Sequence, residues 1–269
     1  MIIKLPYCRT FTALVFLLTL FCGTVHTAED NILRLGYSDS EAYPYQIAHE
    51  KNPPGIAFEI ISEAAGNTGI KVIFIALPNK RVQASLKEGN IIDGAFMFSY
   101  SRERTLNGVY PEIKGTPDGR RRIATLRYYI YKKKGSPLNW DGNSFSGFDK
   151  SDIRNSIGAN TGYSVVQDLK KMGVHVDDGS RTTEQNFLKL QSGRISGFAH
   201  QDLVADNYLL LHKITDIEKL PRPFIQKHYY LMISRQYYSK NRETAERLWN
   251  EIAQIRDRKT AEIMHKYTE

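Results

Sequence analysis

Cysteine is almost missing from this chain of 269 residues: there are two, Cys8 and Cys22, and both fall within the first 28 positions. A chain trimmed of those positions can form neither a disulfide nor a thiolate metal site, so packing has to supply its stability. Long apolar runs are scarce too. Phe11 to Phe21 is an uncharged run of about ten residues, far short of the roughly 20 that span a bilayer. The seven histidines show no paired helical spacing of the kind that grips zinc. No phosphate-cradling glycine loop occurs, and Gly162-Tyr163-Ser164-Val165-Val166 starts like a nucleophile elbow but lacks its final glycine. The expectation from these absences is no catalytic residue, no cofactor and no metal.

What is present begins with a leader. Lys4 and Arg9 give a positive start, the apolar run follows, and small residues Thr24, Thr27 and Ala28 come next. Residues 1–28 therefore read as a secretory signal peptide cleaved after Ala28, giving a periplasmic protein. Cys22 raises a lipid-anchored product as the alternative, against which the bulky Phe21 before it counts. About 240 remaining residues can bury a large core, as one big domain or two lobes. The leader holds two of the 37 basic residues and none of the 29 acidic ones, which leaves 35 against 29, near +6. That mild excess, outside the cytoplasm, suits small anionic ligands or surfaces rather than nucleic acid. The runs Arg120-Arg121-Arg122 and Lys132-Lys133-Lys134 read as solvated faces or a partner-docking surface.

Two stretches a hundred residues apart say nearly the same thing: Leu86 to Phe96, which turns at Gly89, and Leu190 to Phe198, which turns at Gly193. Each reads as an amphipathic helix ended by a glycine and followed at once by a short apolar strand. The first half predicts strands at Ile32–Gly36, Lys71–Leu77 and Ile91–Phe98, alternating with helices at Ile56–Ala65 and Lys80–Lys87. The second half repeats the rhythm. Strands are expected at Ser156–Ala159, Val174–Val176 and Ile195–Ala199, with helices from Gly162 to Met172, Thr183 to Leu190 and Asp202 to Leu211. That alternation is the mark of parallel sheets covered by helices. Tyrosine-rich Leu126–Lys132 and His228–Ser234 read as the two strands that cross between the halves. The tail, Asn241 to Tyr267, reads as a pair of amphipathic helices packed on the first lobe.

With its exported leader, the Tyr43-Pro44-Tyr45 loop, the glycine-ended helices and the Ser101-Arg102-Glu103-Arg104 segment after the Asp93 strand, the chain resembles the periplasmic solute-binding proteins of polar-amino-acid ABC transporters, the bacterial extracellular solute-binding proteins of family 3. The likeness runs from Ile32 to about Tyr267. It implies an α/β, two-lobed periplasmic-binding-protein fold (type II), each lobe a mostly parallel sheet flanked by helices and joined by two crossover strands. Lobe 1 would be residues 29–126 and 229–269, and lobe 2 residues 127–228. It also implies a monomer that closes on one small solute and hands it to a membrane permease, without enzyme chemistry. Arg104 matches the family arginine that grips a ligand carboxylate, a role that suits a planar guanidinium fork. Ser99 and Tyr100 fall along the cleft wall, Tyr43 and Tyr45 match the aromatic loop, and Gly162 with Ser164 match the helix start that closes from lobe 2. Arg81, after the turn at Leu77-Pro78, is expected to face the cleft.

Two departures set this sequence apart. Where the family places a carboxylate for the ligand ammonium, near position 201, the chain has Gln201 with Asp202 one step later, and the other common position is Ser196. A buried ammonium without a partner costs several kcal/mol, so an ordinary α-amino acid is in doubt. A carboxylate lacking an ammonium, or a ligand held by Asp39 or Glu59 instead, stays open, and Asp202 is read either as a ligand contact or as the N-cap of the helix that begins there. Two other functions also stay open: a sensory module for a membrane receptor, and a dehydratase-like enzyme with Glu59 or Glu103 as acid or base.

Overall fold

The computed structural model describes residues 31–47 and 50–267, so the leader lies outside the described residues. The chain opens with β1 (Ile32–Ser38), α1 (Ile56–Asn67), β2 (Lys71–Leu77), α2 (Asn79–Glu88) and β3 (Gly94–Ser99). A small hairpin, β4 (Glu112–Ile113) and β5 (Thr116–Pro117), precedes the first crossover strand β6 (Ala124–Lys133), and a second hairpin, β7 (Asn139–Trp140) and β8 (Phe145–Ser146), follows it. Then come β9 (Ile157–Gly158), α3 (Val165–Lys171), β10 (Val176–Asp177), α4 (Thr183–Gln191), β11 (Gly197–Gln201) and α5 (Asp202–Leu211). The chain returns through β12 (Ile217–Lys219) and β13 (Ile225–Ile233) and ends in α6 (Arg235–Lys240) and α7 (Arg242–His265).

Among the described residues one sheet of nine strands runs in the order β10-β9-β11-β6-β13-β3-β1-β2, with β12 also on β6. The first half contributes parallel β1, β2 and β3, and the second half parallel β9, β10 and β11. The crossover strands β6 and β13 run antiparallel to their neighbours and to each other, with Tyr229 opposite Ala124 and Ile225 opposite Tyr128. The two lobes thus share a continuous ladder at their junction.

Local chemistry accounts for these elements. β2 is a run of β-branched and apolar residues, which suits a pleated, half-buried strand. Gly89 (φ 64°) and Gly193 (φ 71°) sit just past α2 and α4 in the left-handed region, as the near-repeat predicts. The strands that follow start later than their apolar residues suggest. Asn90 Oδ1 accepts from Ile91 N at 2.6 Å, and the Asp93 carboxylate takes the backbone N–H of Arg34 and its guanidinium. Ile91 and Ile92 are therefore held in a turn, and β3 starts only at Gly94. In the second copy β11 starts at Gly197, and Ile195 is packed with Phe187 and Phe198 ahead of it.

Helix α1 turns Ile56, Phe58, Ile60, Ile61 and Ala64 inward and packs against α7. Phe58 makes edge contacts with Tyr37, Phe74 and Phe96 at ring separations of 4.8–5.0 Å. The tail differs from a helix pair: Arg242–His265 is one continuous helix of 24 residues, and the short helix before it belongs to Arg235–Lys240. No proline or glycine interrupts 242–265, so nothing breaks it. The Arg120–Arg122 run is also not simply a solvated face. Arg121 is buried and ties Asp118 and the carbonyl of Glu112 to Glu246 on α7.

Candidate ligand cleft

The strand ends β1 and β3, the crossovers β6 and β13, the start of α3 and the end of β11 converge on a cavity of about 30 Å³ between the lobes. That is space for about one or two waters, against several hundred Å³ in a typical small-molecule pocket. Access for any larger solute therefore requires the lobes to part.

Arg104 sits at the centre. It is 6% exposed, lies in a short 3₁₀ turn after β3, and its guanidinium caps the face of Phe98 at 5.0 Å. Nη1 donates to the carbonyl and hydroxyl of Ser99 at 2.8 and 3.1 Å, and Nη2 donates across the lobes to the Gly162 carbonyl at 2.9 Å. Those three bonds leave two of its five N–H donors. Among the described residues no carboxylate pairs with it.

Ser99 and Ser164 meet across the seam with hydroxyl oxygens 2.6 Å apart, and Tyr110 donates to the Ser99 carbonyl at 2.9 Å. Lys227 on β13 donates to Ser164 at 2.9 Å and forms an ion pair with Asp168 on α3. Burial pulls the Lys227 ammonium down and Asp168 pulls it back, with Arg104 adding a smaller downward push.

Behind Arg104 the floor is phenolic. The Tyr128 and Tyr229 hydroxyls are 2.6 Å apart, and the Gln201 amide donates to both, at 3.2 and 2.7 Å. Gln201 is 4% exposed, and its Oε1 has no hydrogen-bond partner. Burial raises the phenols of Tyr128 and Tyr229 and lifts Tyr163 to about 12, so all three stay protonated. Met97 adopts φ 59° between Phe96 and Phe98, where the pairing with β13 slips by one residue. This bulge carries a left-handed non-glycine residue into the cavity wall, a conformation that costs of order 1–3 kcal/mol and recurs at functional sites.

The structure brings together Arg104, Ser99, Ser164 and the Gly162 carbonyl, and separates the other sequence candidates from them. Tyr43 donates its hydroxyl to the Tyr267 carbonyl and stacks edge-on with that ring, while Tyr45 is buried in the main core. The loop instead offers Ala42 and Gln46, because Gln46 Nε2 reaches the carbonyls of Ser38 and Ser40 at 2.8 and 3.0 Å. Tyr100 is turned outward onto Tyr110. Arg81 is exposed on α2, and Asn79, two residues earlier, lines the cavity. Asp202 faces the other way and pairs with Arg127 at 3.0 Å. Glu59 is engaged by Lys266 and Tyr267, and Asp39 by Arg181. Ser196 bonds to Asn155, away from the cleft. Sequence reasoning missed Tyr128, Tyr163, Lys227 and Tyr229. The signal for Tyr128 and Tyr229 was the tyrosine-rich crossovers, which read as strands between the halves but not as a floor, and Tyr163 lies between the two matched residues Gly162 and Ser164.

No family model matches the sequence, and no curated protein matches it. Solved structures do. The substrate-binding protein of an amino acid ABC transporter superposes with a TM-score of 0.65 at 16% identity, covering 88% of this chain and 99% of the other. The GluR0 ligand-binding core from Nostoc punctiforme, in complex with L-glutamate, gives 0.63 at 14% identity over 88% of this chain and 99% of that one. An ancestral arginine-binding protein bound to glutamine gives 0.63 at 20% identity over 88% and 98%. At such identities the likeness is one of architecture, and the architecture is that of the two-lobed periplasmic binding proteins.

Proposed function

We propose that this protein is an extracytoplasmic solute-binding protein that captures a small carboxylate-bearing ligand between its lobes for an ABC importer. The observation that carries the reading is Arg104: a buried guanidinium at the seam with neutral partners from both lobes and two donors to spare. An isolated buried cation is costly, and a ligand carboxylate that takes the remaining fork would compensate it. Two of the structures with this fold are an amino acid ABC transporter's binding protein and an arginine-binding protein, which supports the transport role.

Lobe 1 then comprises residues 29–126 and 229–269, and lobe 2 residues 127–228. The boundaries fall in β6 and β13 beside Tyr128 and Tyr229. Closure is favoured by contacts made to both lobes at once, and a ligand shifts the equilibrium by its differential affinity for the closed form. The leader at 1–28 exports the chain to the periplasm, where it acts as a monomer without catalysis. A sensory role is the second reading, favoured by the fold likeness to the GluR0 ligand-binding core.

A thermal-shift screen of amino acids and organic carboxylates tests the proposal. At least one should raise the melting temperature, because a ligand that binds only the folded state stabilises it. The rise should vanish in Arg104→Ala. No shift from any carboxylate, or a shift kept in that variant, overturns it.

A further inference from the structure

The charges that face the inner cavity do not add up to those of an amino acid. Among the described residues Arg104 is the single charged one in its wall; the other polar groups there are amides, serines and phenols. An α-amino acid brings a carboxylate and an ammonium, and only the first finds a complement. Among the described residues the nearby buried or half-buried carboxylates are engaged: Asp168 by Lys227, Asp202 by Arg127, Asp39 by Arg181. Glu103 and Asp178 line only the outer groove and are exposed to solvent.

Gln201 marks where the mismatch would fall. Its Nε2 is fixed by two phenolic oxygens, and its buried Oε1 has no partner. One neutral acceptor satisfies one hydroxyl donor. It does not satisfy the three donors and full charge of a desolvated ammonium, which requires a carboxylate or several oriented acceptors. Tyr128 and Tyr229 do not make up the difference, since each phenol oxygen already accepts from Gln201 and the two are bonded to each other. Nor does proximity to Lys227, a cation packed behind Ser164.

We infer that the cleft takes a small hydroxy monocarboxylate, with its carboxylate on Arg104 and its hydroxyl donating to Gln201 Oε1, in preference to the α-amino acid of the same skeleton. This rests on the proposed carboxylate-binding function and names its ligand class.

The experiment is titration calorimetry with matched pairs: L-lactate against L-alanine, 2-hydroxyisocaproate against leucine, and 3-phenyllactate against phenylalanine. Within the pair that binds, the hydroxy acid should be at least about tenfold tighter, the factor that corresponds to 1.4 kcal/mol of unpaired charge. Gln201→Glu, which places a carboxylate at the same reach, should move that preference at least about tenfold towards the amino acid. Gln201→Met, which removes the acceptor without adding charge, should cost the hydroxy acid affinity, and melting curves verify that both variants fold. Amino acids binding tighter than their hydroxy partners, with that binding lost in Arg104→Ala, overturn the ligand class and leave the proposed function standing. Failure of every member of the panel to bind overturns the ligand class and counts against the carboxylate reading as well. A preference unmoved in both Gln201 variants removes Gln201 from the site.

Discussion

Asp39, just past β1, and Arg181, just before α4, form an ion pair of 2.8 Å across the mouth of the cleft, and the Ser40 hydroxyl donates to the Arg181 carbonyl beside it. The two side chains are 38% and 55% exposed, so the pair is screened by salt and contributes at most about 1 kcal/mol to closure. Ser99 to Ser164 and Arg104 to Gly162 also tie the lobes, on groups buried deeper in the cleft. In small-angle scattering the radius of gyration of the protein should rise between low and high salt. Arg181→Ala should already show the larger radius at low salt. A radius insensitive to both changes would show that the pair has no part in closure.

Arg104 makes a stronger prediction because it is desolvated. Replacement by Ala removes charged hydrogen bonds worth about 1.5–3 kcal/mol each, so binding of the best carboxylate found by thermal shift should weaken at least about tenfold. Arg104→Lys should not restore it, since a point ammonium cannot reach Ser99, Gly162 and a ligand together as the planar fork does. Titration calorimetry reads both. An unchanged dissociation constant in Arg104→Ala would remove the residue from the site.

How much of this was legible beforehand follows from the range of the interactions. β2 and α5 fall where the periodicity puts them, because apolar pattern and flanking glycine or proline are local signals. The near-repeat correctly marked two left-handed helix ends. Arg104, Ser99 and Ser164 came from a resemblance in spacing, and the structure brings the Ser99 hydroxyl within hydrogen-bond reach of both Arg104 and Ser164. The aromatic loop is placed by a long-range contact: Tyr43 is drawn to Tyr267, 224 residues away, which no local pattern encodes, and it lines the cleft mouth beside Asp39 and Arg181 rather than the inner cavity. Asp202 was ambiguous because a strand alternates faces, and a shift of one residue decides whether Gln201 or Asp202 points into the cleft. The cross-strand pairing of Gln201 with Tyr128 resolves it.

Gly94 opens the strand that delivers Arg104, and it is glycine for lack of space rather than for backbone freedom. A Cβ there would stand 2.7 Å from Leu35 Cδ2 and 2.9 Å from the Met232 carbonyl on the next strand. The carbonyl is part of the sheet and cannot move aside like a side-chain tip. Gly94→Ala should therefore destabilise the protein by about 1–3 kcal/mol, as overpacking of a filled interior does. Urea unfolding should show a lower midpoint with an unchanged slope. A midpoint equal to wild type would mean that β3 and β13 can separate there at little cost.

His200, on β11 next to Gln201, is fully buried between Phe198 and Tyr163, with Nε2 bonded to the Thr183 hydroxyl at 2.8 Å. Burial lowers its pKa from 6.5 to about 3. The folded protein therefore holds this ring neutral where the unfolded chain protonates it. Its contribution to stability is full above pH 6.5 and is lost progressively as pH falls from there towards 3. By about pH 5 the loss is roughly 2 kcal/mol. His228, whose pKa is lowered first by burial and then by Arg122 and Arg256, adds a smaller loss of the same sign. His200→Gln keeps a hydrogen-bonding group for Thr183 but does not titrate. The variant should be the less stable protein at about pH 7, and its deficit should shrink as the pH is lowered to about 5. Urea midpoints at several pH values measure this. Curves for wild type and variant that stay parallel across the interval would show that His200 takes up its proton in the folded state as readily as in the unfolded one.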